Sequence, residues 1–71
     1  MAVSYDKLLK ILEERNISHP ELSRITGVSA NILTRIRRDE YISLESIEKI
    51  CDVLEVGVDD VLEFVEDKDI R

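Results

Sequence analysis

Residues 18–38 read SHPELSRITGVSANILTRIRR. This stretch predicts two short helices with only Gly27, Val28 and Ser29 between them. Ser18 and Ser29 each stand just before a helix, where a serine hydroxyl accepts a hydrogen bond from a first-turn amide. Gly27 suits the left-handed conformation that ends a helix. So tight a junction predicts a helix-turn-helix unit whose helices cross at about 90–120°.

The second helix of this unit, about Ala30 to Arg37, separates apolar from polar side chains. The apolar side chains that can share one core within the unit are Leu22, Ile25, Val28, Leu33 and Ile36. The side chains left outside on the second helix are Ala30, Asn31, Thr34, Arg35 and Arg38. Small, amide and guanidinium groups on one helix face suit the major groove of duplex DNA, where Asn pairs with adenine and Arg with guanine.

Helix starts outside the unit follow the same pattern. Serine also precedes helical runs at Ser4 and Ser43, and Gly57 stands in the equivalent place before a fifth run. Glu21, three residues after Ser18, predicts a capping box. Each of the five starts also has a hydrophobic staple, an apolar residue before the cap that faces another one four positions after it. The five staple pairs are Val3 with Leu8, Ile17 with Leu22, Val28 with Leu33, Ile42 with Ile47, and Val56 with Val61.

Helical spacing of apolar residues predicts the buried faces of helices 1, 4 and 5. These faces are Tyr5, Leu8, Leu9 and Leu12 in helix 1, Leu44, Ile47, Ile50, Cys51 and Leu54 in helix 4, and Val58, Val61, Leu62 and Val65 in helix 5. The predicted fold class is therefore all-α, a five-helix domain over residues 1–65. Residues 66–71, mostly charged, are expected to form a tail.

The charge of the chain is unevenly distributed. The net charge of the 71 residues is −6, which by itself argues against a polyanionic partner. Residues 41–71 carry ten acidic and three basic side chains, whereas residues 1–40 carry six acidic and seven basic ones. Residues 22–38 contain four arginines and no acid. The helix-turn-helix unit therefore offers a local positive patch to a phosphate backbone.

Several classes of function lack the residues that they need. Cys51 is the single cysteine, so neither an internal disulfide nor a cysteine-rich metal site is expected, and the residue is predicted to fill the core. One histidine, His19, at a helix start provides no catalytic triad or dyad, so no enzyme activity and no cofactor are expected. No apolar run is long enough to cross a bilayer, and the N-terminus lacks a signal-peptide pattern. We expect a cytoplasmic protein without a membrane or small-molecule partner.

The chain resembles the Cro/cI-type (xenobiotic-response-element-like) helix-turn-helix proteins, which have the lambda-repressor-like fold. The specific part of the resemblance is Ser-x-x-Glu-Leu-small-x-x-x-Gly-Val-Ser over residues 18–29, supported by LTRI at 33–36 and SLESIEKIC at 43–51. It extends over about residues 4–64. The resemblance implies five helices, of which the third is the recognition helix. It implies base contacts by Ala30, Asn31, Thr34 and Arg35, and backbone contacts by Ser18, His19 and Arg38.

The sequence departs from the family pattern in three places. Many members have Gln at the position of His19, so whether His19 contacts a phosphate stays an open question. Many members pair an Arg in helix 1 with a Glu late in helix 3, but those positions are Leu12 and Arg37 here, so Leu12 is expected in the core. The turn after helix 3 often holds Gly and a basic residue, whereas here it is Asp39-Glu40. Arg37, available to an acid or a phosphate, and Ser29, at a helix N-terminus, are further candidates for backbone contact.

These observations favour a sequence-specific DNA-binding transcriptional regulator, a repressor, of bacterial or phage origin. The expected partner is double-stranded DNA with a palindromic operator, bound by a homodimer, because one recognition helix contacts too few base pairs. Val53 and Phe64, apolar residues outside the core faces of helices 4 and 5, are the predicted dimer contacts. Two alternatives stay open: a protein-binding module, such as an antitoxin or anti-repressor that uses the acidic helices 4 and 5, and RNA binding, for which aromatic platforms are missing.

Overall fold

The computed structural model of the chain describes residues 2–66 and contains four α-helices and one small sheet. The elements in chain order are β1 (Ala2–Ser4), α1 (Asp6–Glu14), α2 (His19–Thr26), α3 (Ala30–Arg37), α4 (Leu44–Leu54), a 3₁₀ turn (Val58–Asp60) and β2 (Glu63–Val65). The first four predicted helices are confirmed, the two central ones within a residue of their expected bounds. No helix within residues 2–66 is long and apolar enough to cross a membrane.

Three of the predicted serine caps are confirmed in full. The hydroxyl oxygens of Ser18, Ser29 and Ser43 accept hydrogen bonds from the amides three residues later, at 3.2, 3.3 and 3.2 Å. Each of these serines has extended backbone and is followed directly by the helix. The local rule that predicted these starts therefore operates unchanged in α2, α3 and α4.

Only one of the two hydrogen bonds of the capping box predicted at α2 forms. Ser18 accepts from the amide of Glu21, but the Glu21 carboxylate forms an ion pair with Arg24 at 3.6 Å. Among residues 2–66 no bond runs from this carboxylate back to the Ser18 amide. Glu21 thus contributes a negative charge to the first turn of α2, where the helix dipole favours it.

The start of α1 differs from the prediction. The helix begins at Asp6 after Tyr5, and Ser4 belongs to β1. The Ser4 hydroxyl accepts from the Asp6 amide at 3.4 Å. The Tyr5 amide donates instead to a carboxylate oxygen of Asp39 at 3.1 Å, and the Tyr5 hydroxyl donates to the Glu40 carbonyl oxygen at 2.7 Å. A distant loop therefore fixes the beginning of α1.

The predicted fifth helix is wrong: the described residues form four α-helices and a two-stranded sheet, so the fold is mostly helical, as predicted, but without the fifth helix. Residues 57–65 form a short 3₁₀ turn and then β2, which pairs antiparallel with β1. The register places Ala2 opposite Val65, Val3 opposite Phe64 and Ser4 opposite Glu63. Residues 61–65, VLEFV, are rich in β-branched and aromatic side chains, and β1 offers them a hydrogen-bonding partner. A run this short gains little as an isolated helix.

One core joins β1, the four helices and the segment before β2. All ten residues of the predicted staples belong to this core or pack against it. Leu12, which stands where the family pattern has arginine, is buried as predicted. Cys51 is half-buried and packs against the core. Four residues that were predicted to face the core do not belong to it: Ile25 and Val65, which are half-buried, Val58, which is 51% exposed, and Leu44, which is 78% exposed. Leu44 is the first residue of α4, one turn before burial begins at Ile47.

Candidate nucleic-acid interface

The turn between α2 and α3 is held by side chains of α2. Gly27 has a φ of +77°, and a Cβ there would meet nothing within 4 Å, so conformation rather than space favours glycine. The Thr26 hydroxyl donates to the Leu22 carbonyl at 2.6 Å and accepts from the Val28 amide at 3.2 Å. The Ser23 hydroxyl donates to the Val28 carbonyl at 2.5 Å. Both polar groups of the Val28 backbone are thus satisfied by α2.

Ser23 and Thr26 were not singled out from the sequence. The available signal was weak: Ser23 occupies the small-residue position of the family pattern, and Thr26 is the last residue of α2. Thr26 is buried, at 8% exposed, although it precedes an exposed glycine. These two hydroxyls attach the turn before α3 to α2 through the Val28 backbone.

The outward face of α3 holds the four residues predicted to contact bases, together with Arg38, which was predicted to contact the DNA backbone. At 100° per residue, Ala30, Thr34, Arg38, Asn31 and Arg35 occupy about 140° of the helix circumference. Leu33 and Ile36 point the other way and are buried. Of the five, Thr34 is half-buried and the other four are exposed. The Thr34 hydroxyl donates to the Ala30 carbonyl at 3.1 Å, which leaves its methyl group and a lone pair for a ligand.

Three residues predicted to contact the phosphate backbone lie together beside this face. Ser18, His19 and Arg37 line one groove of about 650 Å³ between α1, α2 and α3. His19 and Arg37 also line a second groove of about 560 Å³, together with Ala30 and Thr34. The two grooves therefore connect Ala30 and Thr34 of the outward face with the backbone-facing candidates His19 and Arg37. Ser29, at the exposed N-terminus of α3, lies next to Ala30 on the same surface.

Arginines dominate the charge of this surface, although Glu13 lines the groove that holds Ser18, His19 and Arg37. Arg24 pairs with Glu21, whereas Arg35, Arg37 and Arg38 form no ion pair with any described residue. All three side chains are exposed. The guanidinium groups are therefore available to an external anion. No group of His, Cys, Asp and Glu in the described part of the chain could hold a metal ion.

The acidic turn after α3 does not oppose these arginines as strongly as its sequence suggests. Asp39 has a φ of +56°, a left-handed conformation that Asp tolerates better than most residues. Its carboxylate accepts the Tyr5 amide, so Asp39 points to the start of α1. The Glu40 carbonyl accepts the Tyr5 hydroxyl. The Asp39 carboxylate thus has a structural role in this chain, whereas Glu40 contributes only its backbone carbonyl.

Comparison with known proteins agrees with this arrangement. The model of the Cro/C1-type helix-turn-helix DNA-binding domain matches residues 7–67. The chain belongs to this family. Its structure is similar to the crystal structure of the transcriptional regulator VanUg, with a TM-score of 0.87 and 32% identity over 93% of this chain and 88% of that one. No curated protein sequence matches the chain significantly.

Within this Cro/C1-type domain, the residues that were predicted as dimer contacts lie apart. Val53 is 41% exposed on α4, and Phe64 is 56% exposed on β2. Phe64 lines a groove with Leu44, at the start of α4. Leu44 and Val53 are nine residues apart, so they point in opposite directions, about 180° around the helix. The two predicted contacts therefore lie on different flanks of α4.

Proposed function

We propose that this Cro/C1-type domain binds double-stranded DNA in a sequence-specific manner and regulates transcription as a repressor, by occupying its operator. The observation that carries the proposal is the outward face of α3, where Asn31 and Arg35 are exposed and Arg35 has no ion-pair partner among residues 2–66. VanUg, described as a transcriptional regulator, shares the fold over nearly the whole chain.

The two kinds of contact are assigned by position on α3. Arg35 and Asn31 lie in the middle of the outward face, where a helix in the major groove meets base edges. Arg38 follows the last helical residue and is assigned to a phosphate, as are Arg37 and His19 in the adjoining groove. Ala30 and Thr34 permit close approach because they are small. Ser18 and Ser29 present helix N-termini, whose free amides attract phosphate.

Arginine-to-alanine variants test this assignment on duplexes selected from a random pool. Arg35→Ala is expected to lose about 1–3 kcal/mol on the selected site and to relax the preference at one base pair. Arg38→Ala is expected to weaken binding to selected and unrelated duplexes alike and to make the salt dependence shallower. Fluorescence anisotropy over a series of salt concentrations measures both effects.

Lys10→Ala provides the matched control, since it removes one exposed positive charge from α1, outside the helix-turn-helix unit. This variant is expected to bind DNA as the parent does. If Arg35→Ala binds every duplex as the parent does, the base assignment is wrong. If the parent selects no sequence and shows no salt-dependent binding, the DNA-binding proposal itself fails.

A second copy of the chain is part of the proposal. One helix of this length contacts only a few base pairs, whereas two copies about 34 Å apart read a palindromic site. We place the contact on the flank of α4 that holds Val53. Lys49, four residues earlier and about 40° away on the helix, is the one positive side chain among residues 41–66, which carry eight acids. Like-charge repulsion between copies is therefore weakest there.

A further inference from the structure

An apolar groove lies on the other flank of α4. Four of the five large apolar side chains that residues 2–66 expose line it: Tyr41 at 62%, Leu44 at 78%, Val58 at 51% and Phe64 at 56%. We call this surface the α4 groove. Its volume is about 300 Å³, and its floor includes the buried side chains of Val3, Tyr5 and Ile47. Clustering of exposed apolar side chains at one place is typical of an interaction site.

The α4 groove continues into a second depression of about 710 Å³. Leu44, Ile47 and Val58 line both of them, and the second is completed by Glu45, Glu48 and Cys51. The apolar surface thus extends along α4 and meets a line of carboxylates. Together the two depressions are large enough to accommodate several side chains of a bound segment.

The border of the α4 groove is negatively charged. Glu45 and Glu48 line the adjoining second depression together with Leu44 and Val58, and Asp59 and Asp60 follow Val58 directly. Burial raises the pKa of the Cys51 thiol, and the carboxylates of Asp52, Asp60 and Asp59 raise it further. One cation is close: Lys7 donates to the Asp59 carbonyl at 3.3 Å. The remaining charge favours an occupant with several positive side chains.

From this combination we propose that the α4 groove binds an amphipathic, cationic segment of another protein, with the segment's apolar side chains between Leu44, Val58 and Phe64 and its Lys or Arg side chains beside Glu45 and Glu48. An apolar groove that accepts an amphipathic helix is a common mode of peptide recognition. A second copy of this chain fits poorly, because residues 41–66 would bring eight acids and one lysine against the same acidic border. The site lies outside the outward face of α3, so it is independent of the proposed DNA contacts.

The experiment uses the full chain and three synthetic peptides. The first is a short helical peptide of leucine and lysine with all leucines on one face. The second has the same composition in an order that destroys the apolar face, and the third carries glutamate in place of lysine. Titration followed by peptide fluorescence anisotropy is expected to show saturable, one-to-one binding of the first peptide only. Amide chemical shifts are expected to change at residues of the α4 groove.

Variants of the chain test whether the peptide binds in the α4 groove or is attracted by the negative charge of the whole protein. The Leu44 side chain is 78% exposed, so Leu44→Ser leaves the core intact. This variant is expected to lower the affinity for the first peptide about tenfold. Replacing Glu45 and Glu48 by Gln is expected to lower the affinity severalfold and to make it less dependent on salt. Val53→Ser, on the opposite flank of α4, is the apolar control, and Glu14→Gln is the charge control; both are expected to retain the parent affinity.

Three results would overturn the proposal. One is equal binding of the first two peptides, and another is unchanged affinity in Leu44→Ser while circular dichroism shows the parent fold. The third is a parent dimer in ultracentrifugation that Leu44→Ser dissociates, since the groove would then belong to a second copy. Duplex binding by Leu44→Ser is expected to equal that of the parent, so a failure here is distinguishable from a failure of DNA binding.

Discussion

At the scale of single residues, Thr26 controls the helix-turn-helix more than its place in the sequence suggests. Its hydroxyl joins the last turn of α2 to the Val28 amide, which enters the turn. We predict that Thr26→Val, which keeps the shape and removes the hydroxyl, destabilises the fold by about 1–3 kcal/mol, because a buried amide loses its acceptor. Urea denaturation measures the change.

Thr34→Val is the matched control for this prediction. The Thr34 hydroxyl bonds only to the Ala30 carbonyl within α3, at a half-buried position. Such a bond inside a helix contributes little to stability. The free energy of unfolding of Thr34→Val is therefore expected to stay within about 0.5 kcal/mol of that of the parent. Equal midpoints for the two variants would mean that the Val28 amide does not depend on Thr26.

Tyr5 is a second residue whose role comes from distant parts of the chain. It is 1% exposed, and burial raises the pKa of its phenol, with a further increase from the Asp39 carboxylate. Because the folded state favours the protonated phenol, this contribution to stability is complete below about pH 10, the usual Tyr pKa, and decreases as the pH rises through the folded-state pKa.

Tyr5→Phe tests this linkage. At neutral pH the variant is expected to be less stable by about 1 kcal/mol, since the hydrogen bond to the Glu40 carbonyl is lost. The stability difference between parent and variant is expected to shrink as the pH rises above about 10, because Phe has no proton to release. Denaturation curves from pH 7 to the highest pH at which both proteins fold measure the difference. A constant difference would show that the phenol does not titrate with unfolding.

At the scale of elements, the N-terminus of α3 is held by the Ser29 cap. The Ser29 hydroxyl accepts the Ile32 amide at 3.3 Å. We predict that Ser29→Ala lowers the free energy of unfolding by about 1 kcal/mol, whereas Ser29→Asn, which can also accept this bond, stays close to the parent. Thermal and urea midpoints of the three proteins decide, and an unchanged midpoint for Ser29→Ala would contradict the cap assignment.

The element after α4 shows the limit of periodicity as a guide. Val58, Val61, Leu62 and Val65 have helical spacing, yet only Val61 is fully buried. Pairing of β2 with β1 provides hydrogen bonds along one edge of each strand, and Val3 of β1 lies in the core. The apolar spacing was compatible with a helix, but the available partner strand and the β-branched residues favoured a strand.

At the scale of the whole molecule, the two flanks of α4 are expected to have different partners. We predict that Val53→Glu reduces self-association, because it places a charge in the proposed contact between copies, whereas Phe64→Glu does not. Ultracentrifugation at tens of micromolar measures both variants beside the parent. A parent that stays monomeric and binds its operator one copy per site, without palindromy, would refute the dimer.

The sequence alone determined the features that depend on near neighbours along the chain. The caps at Ser18, Ser29 and Ser43 involve amides three residues away, and the staples connect residues five apart. The outward face of α3 likewise follows from helical geometry within eight residues. These interactions are complete within one or two turns and form at these positions, whereas at Ser4 the pairing of β1 and the bond from Tyr5 to Asp39 decide the start of α1 instead.

The tertiary structure decided what depends on distant partners. Asp39 and Tyr5 are 34 residues apart, and β1 and β2 come from opposite ends of the described chain. The position of the groove that Leu44 and Phe64 line also depends on how β2 packs beside α4. The intrinsic preference of a residue for helix or strand is the same whether or not a distant partner exists. Only the folded chain brings the partners together, which is why the strand at 63–65 and the groove beside α4 required the structure.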